Sequence, residues 1–223
     1  MIKRLFAIAM MVAAGLMPAT AQEYRQAFTP KNYLGIGFNA DTNHPIFSGS
    51  LRLIWEIGKP TDMLAVNVGM GYRGFFDREP PREFLRNPNL SDYLLYSRDN
   101  GDTKNVRPVG GQIIFPAELQ LRLFSLGEDW RFFVGCGAEY GLRLYQSHRY
   151  ADYYGAHVMN SNSLSVYPML GAVVDMDDEG SIGLSLYWRH FLKEPMNYKE
   201  LFDSDKFDAK EFFGFQISLT FGL

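Results

Sequence analysis

In residues 112–145 apolar and polar positions alternate in two successive runs. The first puts Ile113, Phe115, Ala117, Leu119, Leu121 and Leu123 on one side, with Gln112, Ile114, Pro116, Glu118, Gln120 and Arg122 on the other. After the polar turn 125–129, the second sets Phe132, Val134, Cys136, Ala138, Tyr140, Leu142 and Leu144 against Arg131, Phe133, Gly135, Gly137, Glu139, Gly141 and Arg143. Period two is the signature of a strand, and two such runs around a short turn predict a hairpin. Each arm exceeds the usual strand of about 5–6 residues and reaches the roughly 9–11 residues with which a tilted strand crosses a bilayer.

The same alternation recurs along the chain. It predicts strands over residues 31–40, 46–57 and 63–75 before the hairpin, and over 163–175, a run from about Ile182 to Arg189, and 211–223 after it. That makes eight strands. The connections after the second, fourth and sixth are tight, whereas those after the third, fifth and seventh are long, covering residues 76–108, 146–162 and 192–210. Only the first connection, residues 41–45 with Asp41 and Pro45, is short on the long-loop side. Short turns at one end and long loops at the other predict an all-β fold, an eight-stranded antiparallel up-and-down transmembrane β-barrel of the outer-membrane type. An even strand count sets both chain ends on the short-turn side.

A soluble barrel with its apolar face turned inward shows the same period, so the polar face has to decide the orientation. That face carries glycine, tyrosine, serine, arginine and a few glutamates, while the lysines fall in the N-terminal segment, turns, loops or a strand's first residue. It reads as an enclosed interior. Its glycines, among them Gly35, Gly37, Gly69, Gly71, Gly135, Gly137 and Gly141, make room for larger partners in a lumen that eight strands leave just wide enough for side chains. Tight turns predict Arg52 opposite Gly69, Gln120 opposite Gly135 and Glu118 opposite Gly137. The interior polar network expected from this pattern comprises Arg52, Glu56, Arg73, Glu118, Gln120, Arg122, Glu139, Arg143 and Arg189, because charges in a lumen must be paired or hydrated. On the apolar face, aromatic residues gather at both ends. Trp55, Trp130, Phe132 and Phe221 lie toward the short turns, and Phe38, Tyr72, Phe115, Trp188, Phe213 and Phe215 toward the long loops, the two girdles of a membrane barrel.

Composition narrows the setting. Of 223 residues, 47% are hydrophobic and 15% aromatic, with 22 Lys and Arg against 25 Asp and Glu, which fits one domain with a large apolar surface and supplies no basic field for nucleic acid. Residues 1–21 hold Lys3 and Arg4, an apolar run and a small-residue site ending at Ala21, which predicts a secretory signal peptide. Residues 22–30 then form a short periplasmic tail and residues 31–223 the barrel. Cleavage falls after Ala21 or Gln22. One cysteine, Cys136, excludes an internal disulfide.

Over the whole mature chain this layout resembles the small eight-stranded outer-membrane barrels of Gram-negative bacteria, the OmpA-type and OmpX-like group. The last strand, from Phe213 to Leu223 with Phe215, Ile217, Leu219 and Phe221 alternating, resembles the signal read by the barrel-assembly machinery, although Leu223 stands where an aromatic residue is usual. The resemblance implies an outer-membrane location, outer-membrane lipid and lipopolysaccharide as surroundings, the barrel-assembly machinery as a partner during biogenesis, a monomer, and no cofactor or metal.

Function classes divide accordingly. A non-enzymatic barrel with a plugged interior, serving envelope structure or surface binding through tyrosine-rich long loops, is the leading expectation. The alternatives are a narrow porin-like channel and a lipid-modifying enzyme. Catalysis would need His near Ser or carboxylate partners, and of His44, His148, His157 and His190 only His190 sits on an apolar face, where it meets lipid headgroups. Asp175, Asp177, Glu179 and Gly180 imitate the start of a calcium loop, but its twelfth position is Leu186.

Overall fold

The computed structural model describes residues 32–43, 46–57, 63–77, 107–127, 130–146, 159–176, 180–197 and 210–222. The N-terminal segment, most of the three long connections and His44, His148 and His157 lie outside these residues, as do Asp177 and Glu179. Eight strands, β1 (Asn32–Asn43), β2 (Ile46–Ile57), β3 (Leu64–Asp77), β4 (Arg107–Leu126), β5 (Trp130–Gln146), β6 (Asn162–Met176), β7 (Gly180–Lys193) and β8 (Glu211–Gly222), follow one another around a closed antiparallel barrel. Closure comes from β1 and β8, which pair from Tyr33↔Gly222 to Thr42↔Phe213. No sheet edge remains along this wall, so its backbone groups are matched strand to strand.

The alternation of the sequence is the alternation of the wall. Leu53 is 62% exposed and its neighbour Arg52 only 1%, so leucines such as Leu51, Leu53 and Leu170 and aromatics such as Trp55 and Phe213 point outward, while Arg52, Glu56, Arg73, Glu118, Glu139 and Arg189 point inward together with buried apolar residues such as Ile114, Phe133 and Tyr187. The orientation of the two faces is therefore as the polar face predicts.

Three details differ from the expected layout. The first strand does not stop at Ala40 but runs through Asp41 to Asn43, and pairs to its end with β2. The turn-forming composition of residues 41–45 hides this, because Asp and Asn signal turns by themselves while cross-strand pairing on both sides overrides their low strand preference. Arg52 pairs with Gly71, not Gly69, which faces Ile54; the turn after β2 is longer than the tight hairpin assumed, and the register moves by two. The predicted pairs Gln120↔Gly135 and Glu118↔Gly137 are present. Finally, β3, β4 and β5 extend the predicted arms toward the long-loop end, where Asp77 pairs with Arg107 and Gly110 with Gln146.

Strong tilt places residues from different parts of their strands side by side. Successive paired residues lead from Gly135 through Met169, Tyr187, Gly214, Asp41, Ser48, Phe75 and Gly110 to Gln146, so one circuit of the wall climbs from low in β5 to its top. Such a climb is the stagger that closing a sheet requires. It brings Asp41, near the end of β1, level with the middle of β7.

Candidate functional site

Side chains fill the interior in layers drawn from alternate strands, as inward residues of a tilted closed sheet stack. One layer takes Asp41, Arg73, Glu139 and Arg189 from β1, β3, β5 and β7. Arg189 donates from Nε to Asp41 Oδ2 at 2.9 Å and from Nη1 to Glu139 Oε1 at 3.0 Å. Arg73 grips the same Glu139 through both terminal nitrogens, Nη1 to Oε1 at 2.5 Å and Nη2 to Oε2 at 3.2 Å, and its Nη2 stands 3.8 Å from Asp41 Oδ2. Cations and anions thus alternate around a closed square. Ser48 and Tyr187 donate hydroxyl hydrogens to Asp41, and Ser165 accepts from Arg189.

The neighbouring layer takes Arg52, Glu118, Tyr167 and Gln216 from β2, β4, β6 and β8. Arg52 Nη1 donates to Glu118 Oε1 at 2.8 Å, and the same oxygen accepts from the Tyr167 hydroxyl at 2.8 Å. Gln216 accepts from Arg52 and from Asn39 and donates to Glu118. Tyr167 links the layers, since the Arg189 guanidinium lies over its ring at 4.5 Å and over that of Tyr187 at 5.2 Å. A third pair, Arg122 Nη2 to Glu56 Oε1 at 2.7 Å, sits nearer the short turns. Four arginines face four carboxylates, which is how so many buried charges are tolerated together.

Glycine makes the layers possible. A Cβ on Gly137 would fall on the Tyr167 ring, and one on Gly71 would meet Arg52 Cγ at 2.9 Å.

Most of the predicted interior residues meet here: Arg52, Glu56, Arg73, Glu118, Arg122, Glu139 and Arg189 form the ion pairs, and Gln120 is buried beside them. Among the described residues Arg143 meets no carboxylate. It stands half-buried at the mouth and donates to the Met159 carbonyl at 2.7 Å, because β5 has by then climbed past the charged layers. Asp41, Tyr167, Tyr187 and Gln216 belong to the network but not to the expected set. The signal for Asp41 is its parity, since it continues the alternate positions Tyr33, Gly35, Gly37 and Asn39 of β1.

Above the charged layers the mouth is closed by apolar side chains. Ile46, Phe75, Val109, Met159, Phe191, Met196 and Phe212 are buried there. Met159 and Met196, from the bases of two long connections, form a backbone bridge, and Asn160 fixes it by donating to the carbonyls of Pro195 and Glu194 at 2.9 Å each. Phe191 and Phe212 meet edge to face with centroids 5.5 Å apart.

On the outer wall, Trp55, Tyr72, Phe115, Trp130, Trp188, Phe213 and Phe221 are exposed and Phe132 is half-buried, stacked on Phe124 at 5.0 Å. Trp55 and Phe221 flank Leu34 at the short-turn end, and Trp188 pairs with Phe213 at the other. His190 faces outward, its Nδ1 3.1 Å from Glu211 Oε1. Among the described residues no group of His, Cys, Asp and Glu is arranged to hold a metal.

No protein-family model and no curated protein matches the chain. Among solved structures the chain is similar to the translocator domain of the autotransporter NalP from Neisseria meningitidis, at 9% identity and a TM-score of 0.33, over 98% of this chain and 97% of that one. At that score the likeness carries no conclusion about this protein.

Proposed function

We propose that this protein is a non-enzymatic outer-membrane barrel of a Gram-negative envelope, of the OmpA-type and OmpX-like kind, serving envelope structure or surface binding through its long connections. The observation that carries this reading is the inverted wall, with leucines such as Leu51, Leu53 and Leu170 about 60% exposed around a charged, paired interior. In water such a surface far exceeds the few hundred Å² of contiguous apolar patch that monomers usually tolerate. In a bilayer it is the required exterior, with tryptophans at the headgroup levels.

The layered network and the apolar mouth favour a plug over a channel, since aqueous pores open only at much larger strand numbers. Signal-peptide cleavage and assembly by the barrel machinery belong to the same reading.

Expression in a Gram-negative host tests it. The protein is expected in the outer-membrane fraction, to need detergent for extraction, to migrate faster on gels before boiling than after, and to give no stable openings in planar bilayers. Recovery as a dispersed protein in buffer without detergent would overturn the membrane reading, and stable openings would overturn the plug.

A further inference from the structure

Two tyrosines reach toward each other across a strand, on the outer wall at the long-loop end. Tyr72 stands on β3 and Tyr145 on β5, and the Tyr72 hydroxyl donates to that of Tyr145 at 3.2 Å, above the intervening β4. Both side chains are exposed, at 39% and 41%.

Tyr145 faces outward because of a bulge. In β5 the inward positions run through Gly137, Glu139, Gly141 and Arg143, and unbroken alternation would turn Tyr145 into the barrel. Instead the pairing with β4 shifts between Gly111 and Gln112: Gln112 faces Arg143 and Gly111 faces Tyr145. Leu144 is the extra residue, so Leu144 and Tyr145 are both exposed. Re-aiming a side chain is a regular use of a bulge.

The floor beneath the two rings is bare. Gly74 pairs with Gly111, and Gly111 with Tyr145. A Cβ on Gly111 would meet Tyr145 Cε1 and Tyr72 Cε2 at 2.7 Å each, so these two carbons are at most twice that distance apart. Each is ortho to a phenol oxygen, a ring position that carries unpaired electron density in a phenoxyl radical. The chain has one cysteine and forms no internal disulfide, so this pair offers it a different covalent tie between strands.

We infer that Tyr72 and Tyr145 form an oxidative cross-linking site, at which hydrogen peroxide with a haem catalyst joins the two rings by a Cε–Cε bond. Each phenol gives up one electron and its hydroxyl proton, and the two phenoxyl radicals couple between Tyr72 Cε2 and Tyr145 Cε1. Each joined carbon then passes its hydrogen to its own ring's oxygen, which restores both phenols. Two hydrogens leave the protein in all, and one peroxide is reduced to two waters. The product staples β3 to β5 across β4, one residue from Gln146, whose Oε1 accepts from the Met159 amide at 2.8 Å in the closed mouth.

The site is tested by treating folded barrel in mild detergent, barrel boiled in dodecyl sulfate, and the variants Tyr72→Phe, Tyr145→Phe and Tyr140→Phe with hydrogen peroxide and haem, followed by mass spectrometry of the proteolytic peptides. Folded wild type and Tyr140→Phe are expected to yield a peptide pair joined at Tyr72 and Tyr145, two hydrogens lighter than the sum of its parts, at least tenfold more abundant than in the boiled sample. Tyr72→Phe and Tyr145→Phe are expected to yield none. Absence of that pair from folded wild type, or an equal yield from the boiled sample, would overturn the site. The comparison of folded with boiled wild type decides the matter even where a variant does not fold.

Discussion

Arg189 on β7 and Asp41 on β1 meet inside the barrel at 2.9 Å, 148 residues apart in sequence. Asp41 also faces Arg73 and accepts from Ser48 and Tyr187, so it holds together strands on opposite sides of the lumen. Removing one partner from a buried pair leaves an uncompensated charge, which costs about 3–5 kcal/mol. Asp41→Ala is expected to lower the unfolding free energy of the detergent-solubilised barrel by an amount of that order, read as a fall in its urea midpoint at unchanged slope. Replacing both partners, Asp41→Leu with Arg189→Met, leaves the Arg73–Glu139 pair intact and should recover most of the loss.

That carboxylate also shows where sequence reasoning reaches its limit. The strand count, the direction of both faces and nearly all interior ions follow from period two and from the composition of the polar face, because each is fixed within a strand or a single hairpin. Turn-like neighbours obscure Asp41, and alternation alone sets Arg143 with the charged layers although it lies at the mouth. Both depend on how far each strand climbs around the circuit, which is set by the stagger of eight pairings at once and is not written in any one of them. The apolar mouth was equally hidden, since Met159 and Met196 bridge only after two distant connections fold over the lumen.

Gly137 and Gly49 make a controlled comparison. A Cβ at Gly137 meets the Tyr167 ring, which Glu118 and Arg189 hold in place, whereas the nearest atom at Gly49 is the Asn39 carbonyl oxygen at 3.9 Å. Gly137→Ala is expected to destabilise by about 1–3 kcal/mol through overpacking. Gly49→Ala should stay within about 0.5 kcal/mol. Parallel urea titrations would distinguish them, and equal effects would remove the argument that glycines clear space for the charged layers.

The closed mouth predicts a mechanical role for its methionines. Met159 and Met196 are fully buried, and truncating a buried methionine to alanine costs about 2–5 kcal/mol. Met159→Ala and Met196→Ala should each accelerate proteolysis at the bases of the connections they anchor. Because the two residues are bridge partners, the double variant should lose less than the two single effects together.

Cys136 supplies a probe at a native position. It is the only cysteine in the chain and is exposed between Val134 and Ala138 on the outer wall. A nitroxide attached there in a reconstituted bilayer is expected to collide far more often with oxygen than with a polar nickel reagent. The reverse preference would place the middle of the wall in water.

Closure by β1 and β8 has a consequence for how the molecule comes into being. The seam joins residues 32–43 to residues 211–222, so the ladder that seals the wall waits on segments near opposite ends of the chain. Until they dock, every intermediate presents two open borders of backbone donors and acceptors to whatever strand arrives first. A chain cut short before Glu211 would lack β8 and keep two open margins, on β1 and β7, each a template for pairing with a second copy.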